Sequence, residues 1–169
     1  MPVNLELKIK VDSHIPYRKI LKNTGAKNRG VLNQKDIYYQ VPSGLLKLRI
    51  ENGNESLILY ERDESGKKRW SDYRVIYFKS KKSEKIFSSV FEIETVVEKK
   101  RELFLFDNTR IHLDTVKNLG KFLELETLVV RGKKDAQKRF DNIIKLLKLD
   151  TSKQIRNSYR DLMIGKVNK

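Results

Sequence analysis

The stretch Val3-Asn4-Leu5-Glu6-Leu7-Lys8-Ile9-Lys10-Val11 alternates apolar and polar residues without a break. Val3, Leu5, Leu7, Ile9 and Val11 fall on one face, and Asn4, Glu6, Lys8 and Lys10 on the other. That period of two is the signature of a β-strand with two unlike faces. Working outward, Leu45–Glu51 repeats it, with Lys47 and Arg49 facing away from Leu46, Leu48 and Ile50. Runs at 36–41, 56–62, 72–78, 95–106, 110–116 and 122–130 read the same way, which gives eight or nine strands. Turn chemistry separates several of them: Pro42-Ser43-Gly44, Asn52-Gly53-Asn54, Glu64-Ser65-Gly66 and Asp107-Asn108.

Helices are fewer. Asp12 or Ser13 is placed to cap a helix over Ile15–Asn23, with Pro16 in its first turn and Gly25 just past its end. Short helices are expected at 83–91 and 158–164. A longer one at 135–147 carries Phe140, Ile143, Ile144 and Leu147 at helical spacing. No Pro/Gly/Ser-rich linker interrupts the chain. The expectation is one α+β domain over 1–169: a closed antiparallel eight-stranded β-barrel with helices packed outside.

Composition narrows the chemistry. The 169 residues contain no Cys, so thiolate metal sites and disulfides are excluded and a reducing, cytoplasmic setting is expected. The first ten residues are charged and strand-like, without the apolar core of a signal peptide. No apolar run approaches the roughly 18 residues of a membrane helix. A formal charge of +15 points to an anionic partner. Nucleic acid is the bland reading of that charge, but no helix-turn-helix, zinc or aromatic RNA-binding pattern accompanies it. Much of the excess sits in runs such as Lys67-Lys68-Arg69, Lys79 to Lys82 and Lys133-Lys134, which read as solvated loops.

The polar strand faces are more telling. Glu124 and Glu126 project side by side from one strand, and like charges at that spacing call for a cation or bases to offset them. Arg110, His112 and Asp114 share a face. Lys47 with Arg49, and Lys99 with Arg101, repeat the spacing with positive charge, a combination suited to phosphate oxygens. With oxygen ligands, no Cys and only two His, the fitting ions are Mg²⁺ or Mn²⁺. A curled sheet with a charged lumen satisfies these polar faces and leaves the apolar ones for helices to cover.

The sequence Asn4-Leu5-Glu6-Leu7-Lys8 resembles the N-terminal E-x-E-x-K signature of the CYTH superfamily, the triphosphate tunnel metalloenzymes. Gln34 to Tyr39 is similar to that family's second strand, Leu45 to Ile50 to its Lys-x-Arg strand, and Val97 to Asp107 to its Glu-Lys-x-Arg strand. Arg110 to Glu126, with Asp114, Leu119-Gly120, Phe122, Glu124 and Glu126, most resembles the class IV adenylyl cyclase branch. So does Ser158-Tyr159-Arg160-Asp161-Leu162.

The resemblance implies an eight-stranded tunnel that binds a triphosphate through Lys and Arg and divalent ions through carboxylates. By position it assigns Glu6, Glu124, Glu126 and Asp114 to metal. Lys8, Lys47, Arg49, Lys99, Arg101 and Arg110 go to phosphate, with Arg62 and Arg74 added from strands of ambiguous register. Lys8, Arg49 and Arg101 are the catalytic candidates. Asn4 stands where the family usually has its first Glu, which removes one charge but leaves a coordinating carbonyl.

The function implied is Mg²⁺- or Mn²⁺-dependent conversion of ATP to cyclic AMP and pyrophosphate. The alternatives are hydrolysis of an inorganic, thiamine or nucleoside triphosphate, or non-catalytic binding of a polyanion. A homodimer is an assembly the sequence allows. His14 is expected at the surface or as a helix cap, and His112 in the lumen as a hydrogen-bond donor.

Overall fold

Alternation along each strand and short turns between strands make an antiparallel meander the natural product of this sequence, and the computed structural model has one. It describes residues 3–62, 70–79 and 82–167. The strands are β1 (Val3–Val11), β2 (Lys27–Tyr39), β3 (Leu45–Glu51), β4 (Asn54–Arg62), β5 (Trp70–Phe78), β6 (Ile93–Phe106), β7 (Thr109–Val116) and β8 (Gly120–Leu128). The helices are α1 (Ile15–Asn23), α2 (Ser83–Val90), α3 (Lys133–Leu146) and α4 (Tyr159–Val167), with a 3-10 turn at Thr151–Lys153. The strand order β1-β5-β4-β3-β2-β6-β7-β8 returns to β1. The seam is uneven. β1 pairs with β8 from Asn4↔Leu128 to Val11↔Lys121, but with β5 only at Val3↔Asp72, Asn4↔Ser71 and Leu5↔Trp70. The sheet therefore curls into a tunnel that closes along a short stretch of β1.

β2 departs most from expectation. It starts at Lys27, not at Asp36, and its register against β6 shifts between Asn28 and Val31. Gly30 occupies the shift with φ +92°, and Asn28 Oδ1 accepts from the Gly30 N–H at 2.7 Å. The polar, bulged sequence 27–33 hides the alternation by which a strand is recognised. In the β3 approach, Gly44 has φ +73°, and a Cβ there would lie 2.8 Å from the Tyr60 carbonyl oxygen, so only glycine fits.

The outward apolar faces are covered as the patterning demands. Leu5, Leu7 and Ile9 of β1, Ile111 and Leu113 of β7, and Leu123 and Leu125 of β8 pack under Leu21 of α1 and Phe140, Ile143 and Leu147 after and within α3. Burying a residue of this size stabilises by roughly 1.5–3 kcal/mol, so this layer is the principal core. Arg139 of α3 fastens the helix to the barrel rim, donating to the carbonyls of Asp107 at 3.1 Å and Leu128 at 2.8 Å. On the other side Ile37, Tyr39 and Leu48 pack with Phe87 and Phe91, and the buried Glu55 carboxylate accepts from the Ser83 N–H at 2.9 Å, capping α2. His14 is buried, not superficial: its Nε2 lies 3.0 Å from the Phe122 carbonyl, and burial lowers its pKa.

One end of the lumen is filled. Tyr38, Val97, Val116 and Phe122 point inward there and pack against Tyr159, with Ile155, Leu162 and Met163 behind them. Phe122 and Tyr159 meet edge to face at 5.0 Å. Among the described residues, no helix is long and apolar enough to cross a membrane.

Candidate functional site

Above this plug the lumen turns polar in two layers. The deeper one is built on Asp36 and Asp114, both fully buried. Asp36 accepts from Arg49 Nε at 2.7 Å and Arg49 NH2 at 2.8 Å, from Lys47 Nζ at 3.2 Å and from Lys99 Nζ at 2.8 Å. Asp114 accepts from Arg101 at 2.7 and 2.6 Å and from the Tyr159 hydroxyl at 2.8 Å. Arg101 also donates to Glu124 Oε2 at 2.7 Å, and Lys8 lies 3.4 Å from Glu124 Oε1. Lys8 and Lys99 sit over the Tyr159 ring at 4.3 and 5.5 Å.

The electrostatics follow from this sharing. Burial alone would raise Asp36, but Arg49, Lys47 and Lys99 override it and hold the carboxyl well below its ordinary range. Arg49 is correspondingly raised. The lysines fare differently: burial and the neighbouring cations outweigh their share of Asp36. Lys47 falls well below its usual value and Lys99 is pushed down to about 8. Three cations on one carboxylate cannot all be fully compensated, and the bidentate arginine takes most of the charge. Burial also opposes ionisation of Glu124 and Asp114, yet Lys8 and Arg101 keep Glu124 well below its usual range and Arg101 lowers Asp114.

The upper layer opens into a cavity of about 360 Å³. Its charged lining is Glu6, Arg49, Glu51, Glu55, Arg101, Arg110, His112 and Glu126, with Asn4 and Gln34 beside them. Leu32, Ile58, Tyr60, Val75, Tyr77 and Leu103 add apolar and aromatic surface to the lining, with the polar Asn54 and Ser56 among them. Cross-strand register assembles the charged side: Glu6 lies opposite Glu126, Arg110 opposite Glu126, and His112 opposite Glu124. Donor atoms of His112, Glu124 and Glu126 lie within 4.8 Å of one another. Arg110 NH1 stands 3.6 Å from Glu126 Oε2 at the rim.

The CYTH domain profile matches residues 3–159. The chain belongs to the CYTH domain family. It is 27% identical over 172 residues to the "putative adenylate cyclase" of Methanocaldococcus jannaschii, covering 95% of this chain and 98% of that one. Among solved structures it is similar to a Pyrococcus horikoshii OT3 protein, with a TM-score of 0.83, 21% identity, and 94% and 98% of the two chains covered. A Hippeastrum adenylyl cyclase homologue, whose structure carries the statement that triphosphatase activity dominates, has a TM-score of 0.71 at 11% identity, with 98% and 96% covered. At these identities the two structures establish the shared fold.

Set against this CYTH fold, the residues expected at the site divide. Glu6, Arg49, Arg101, Arg110, Glu124 and Glu126 are brought to the cavity or its acidic cluster. Lys8, Lys47 and Lys99 point inward as expected but lie beneath the cavity, engaged with Glu124 and Asp36. Asp114 points inward but is engaged, with Arg101 and Tyr159 donating to its two oxygens. Arg74 is not in the lumen. It pairs with Leu59 on the outer face and is exposed, while Val75 and Tyr77 take the inward parity. Arg62 ends β4, and its side chain lies outside the described residues, as do Lys67, Lys68 and Lys81.

Asp36 and Tyr159 carry no role predicted from the sequence. The signal was present in Asp36, which alternates with Gln34 and Tyr38 directly across from Arg49.

The CYTH fold implies a divalent metal, and the chain can be tested for one. His112, Glu124 and Glu126 provide nitrogen and carboxylate donors close together. Among buried atoms lacking a hydrogen-bond partner, His112 Nδ1 and Asn4 Oδ1 belong to residues lining this cavity. The donor set fits a divalent cation.

Proposed function

We propose that this protein is a divalent-metal-dependent enzyme acting on a nucleoside triphosphate, ATP foremost, in the manner of a class IV adenylyl cyclase. The observation that carries the reading is convergence. Arg49, Arg101 and Arg110 meet the His112–Glu124–Glu126 cluster at one cavity that also presents apolar surface from Leu32, Ile58, Val75 and Leu103. The arginines suit a triphosphate and the apolar surface a base.

In the cyclising reaction the ribose 3′-oxygen gives its proton to solvent and bonds to the α-phosphorus, while the bond from that phosphorus to the β-phosphate bridging oxygen breaks and pyrophosphate leaves. Negative charge grows on the departing pyrophosphate. Arg49 and Arg101 are pre-aimed by their bidentate carboxylate contacts, so they meet that charge without reorganising. Arg110, at the rim, adds a third guanidinium. A divalent ion held by Glu124, Glu126 and His112 would supply Lewis-acid stabilisation of phosphoryl oxygens. The buried lysine layer and the apolar plug exclude water from behind the site.

A second reading, attack by water on the γ-phosphorus, uses the same cavity. It is favoured by the triphosphatase activity stated for the Hippeastrum relative. Incubation with ATP, GTP, thiamine triphosphate and tripolyphosphate, each with Mg²⁺ or Mn²⁺, separates the two by product: cyclic AMP and pyrophosphate, or orthophosphate. A protein that turns over none of them is a binder and not an enzyme.

A further inference from the structure

Gln34 Oε1 is one buried polar atom of the cavity lining without a hydrogen-bond partner; others are His112 Nδ1 and Asn4 Oδ1. His112 and Asn4 are 3% and 2% exposed. Buried polar atoms are normally satisfied, so each vacancy of this kind asks for a partner. For His112 the surroundings say which. Nδ1 stands 3.8 Å from Glu124 Oε2 and 3.8 Å from Glu126 Oε1, too far to hydrogen-bond either. It is within the span of two ligands sharing one ion, since bonds of about 2.0–2.2 Å on either side reach that far.

We infer that His112 is a nitrogen ligand of the divalent site, and that it tilts the site toward borderline first-row ions, Mn²⁺ through Zn²⁺, and away from Mg²⁺. Three features support the tilt. Mg²⁺ binds chiefly to hard, charged oxygens and holds its water, whereas imidazole adds affinity for Mn²⁺ and more for the later ions. Glu124 already shares its charge with Arg101 and Lys8, which weakens its hold on a hard cation. Asn4 brings to the same cavity a neutral amide oxygen. With the Glu124 charge shared and the Asn4 oxygen neutral, the nitrogen weighs more in the total. The β7–β8 register fixes it there, because His112 lies directly opposite Glu124.

This inference rests on reading the cavity as a metal site, and it is tested without turnover. The protein is titrated with MnCl₂, free Mn²⁺ is followed by electron paramagnetic resonance, and the bound ion is examined by electron–nuclear double resonance. Expected is bound Mn²⁺ with a directly coupled ¹⁴N, displaced by Zn²⁺ at least about tenfold more readily than by Mg²⁺. His112→Gln should abolish the nitrogen coupling and weaken Mn²⁺ by about tenfold or more, while Mg²⁺ changes little. Should that variant not fold, the wild-type spectrum decides alone. Bound Mn²⁺ without nitrogen coupling, no bound Mn²⁺, or Mg²⁺ competing as well as Zn²⁺ would each overturn the inference. Nitrogen-coupled Mn²⁺ in a protein inert toward every triphosphate would sink the function proposed above and leave this standing; turnover with nitrogen-free Mn²⁺ would do the reverse.

Discussion

Arg49 meets Asp36 along two parallel contacts, Nε to Oδ1 at 2.7 Å and NH2 to Oδ2 at 2.8 Å, while two lysines crowd the same carboxylate. Asp36 is thus the counterion on which the basic side of the lumen depends. Asp36→Asn keeps the shape and removes the charge, leaving three buried cations uncompensated. It should destabilise the fold by about 3–5 kcal/mol, the cost of breaking a buried ion pair from one side. Tripolyphosphate should then raise the variant's melting temperature more than the wild type's, because an added anion replaces the lost one. A variant as stable as wild type in differential scanning fluorimetry would show that Asp36 is not the counterion.

On the function proposed above, the working positive charge is the arginine set of the cavity lining and not the exposed lysines. Arg49→Ala and Arg110→Ala should each reduce transition-state stabilisation by about 2–4 kcal/mol, seen as a fall in kcat/KM. Arg101→Ala should lose as much activity and also stability, since it strips Asp114 and Glu124 of their partner. Replacing the exposed Lys82, Lys133 and Lys134 together should leave kcat/KM within about twofold at 0.15 M salt, where such charges are screened. Lysine variants that lose activity while the arginine variants keep it would reverse the assignment.

Lys99 carries a pH signature. Burial and nearby cations push its pKa down to about 8 from 10.5. Between those values the unfolded chain binds more protons than the folded one, so stability rises with pH across that window. Below about pH 8 the cost of the extra buried charge is fully present. From pH 7.5 to 9.5 the gain from this group should be about 2 kcal/mol. Urea unfolding of wild type against Lys99→Met isolates it: the rise should be smaller in the variant by that amount. Parallel pH profiles would place the titration elsewhere.

The strands whose alternation is clean, β1, β3, β6, β7 and β8, were legible within a residue or two, and the inward parity of Glu6, Arg49, Arg101 and Glu124 came with them. Period two decides face, so it located the lumen. It does not decide depth. Which of two inward residues on a strand ends up under the cavity and which lines it depends on the shear of the closed sheet, and this separated Lys47 from Arg49 and Lys99 from Arg101. Pairing within the lumen was likewise hidden: Asp114 has the chemistry of a metal ligand, but Arg101 reaches it across the strand pair. Arg74 failed for a simpler reason: β5 carries apolar or aromatic residues at both parities, Val75 and Tyr77 on one and Ile76 and Phe78 on the other, so the pattern does not decide which face Arg74 takes.

The aromatic stopper formed by Phe122 and Tyr159 turns the passage into a blind alley. A guest entering by the cavity comes to rest against the lysines and must back out along the way it came. Arrival and departure then compete for one doorway, and a spent pyrophosphate lodged in the deepest position would hold up the next arrival. Such a vessel is throttled by its own waste, so inhibition by pyrophosphate should be competitive with the incoming triphosphate in steady-state kinetics.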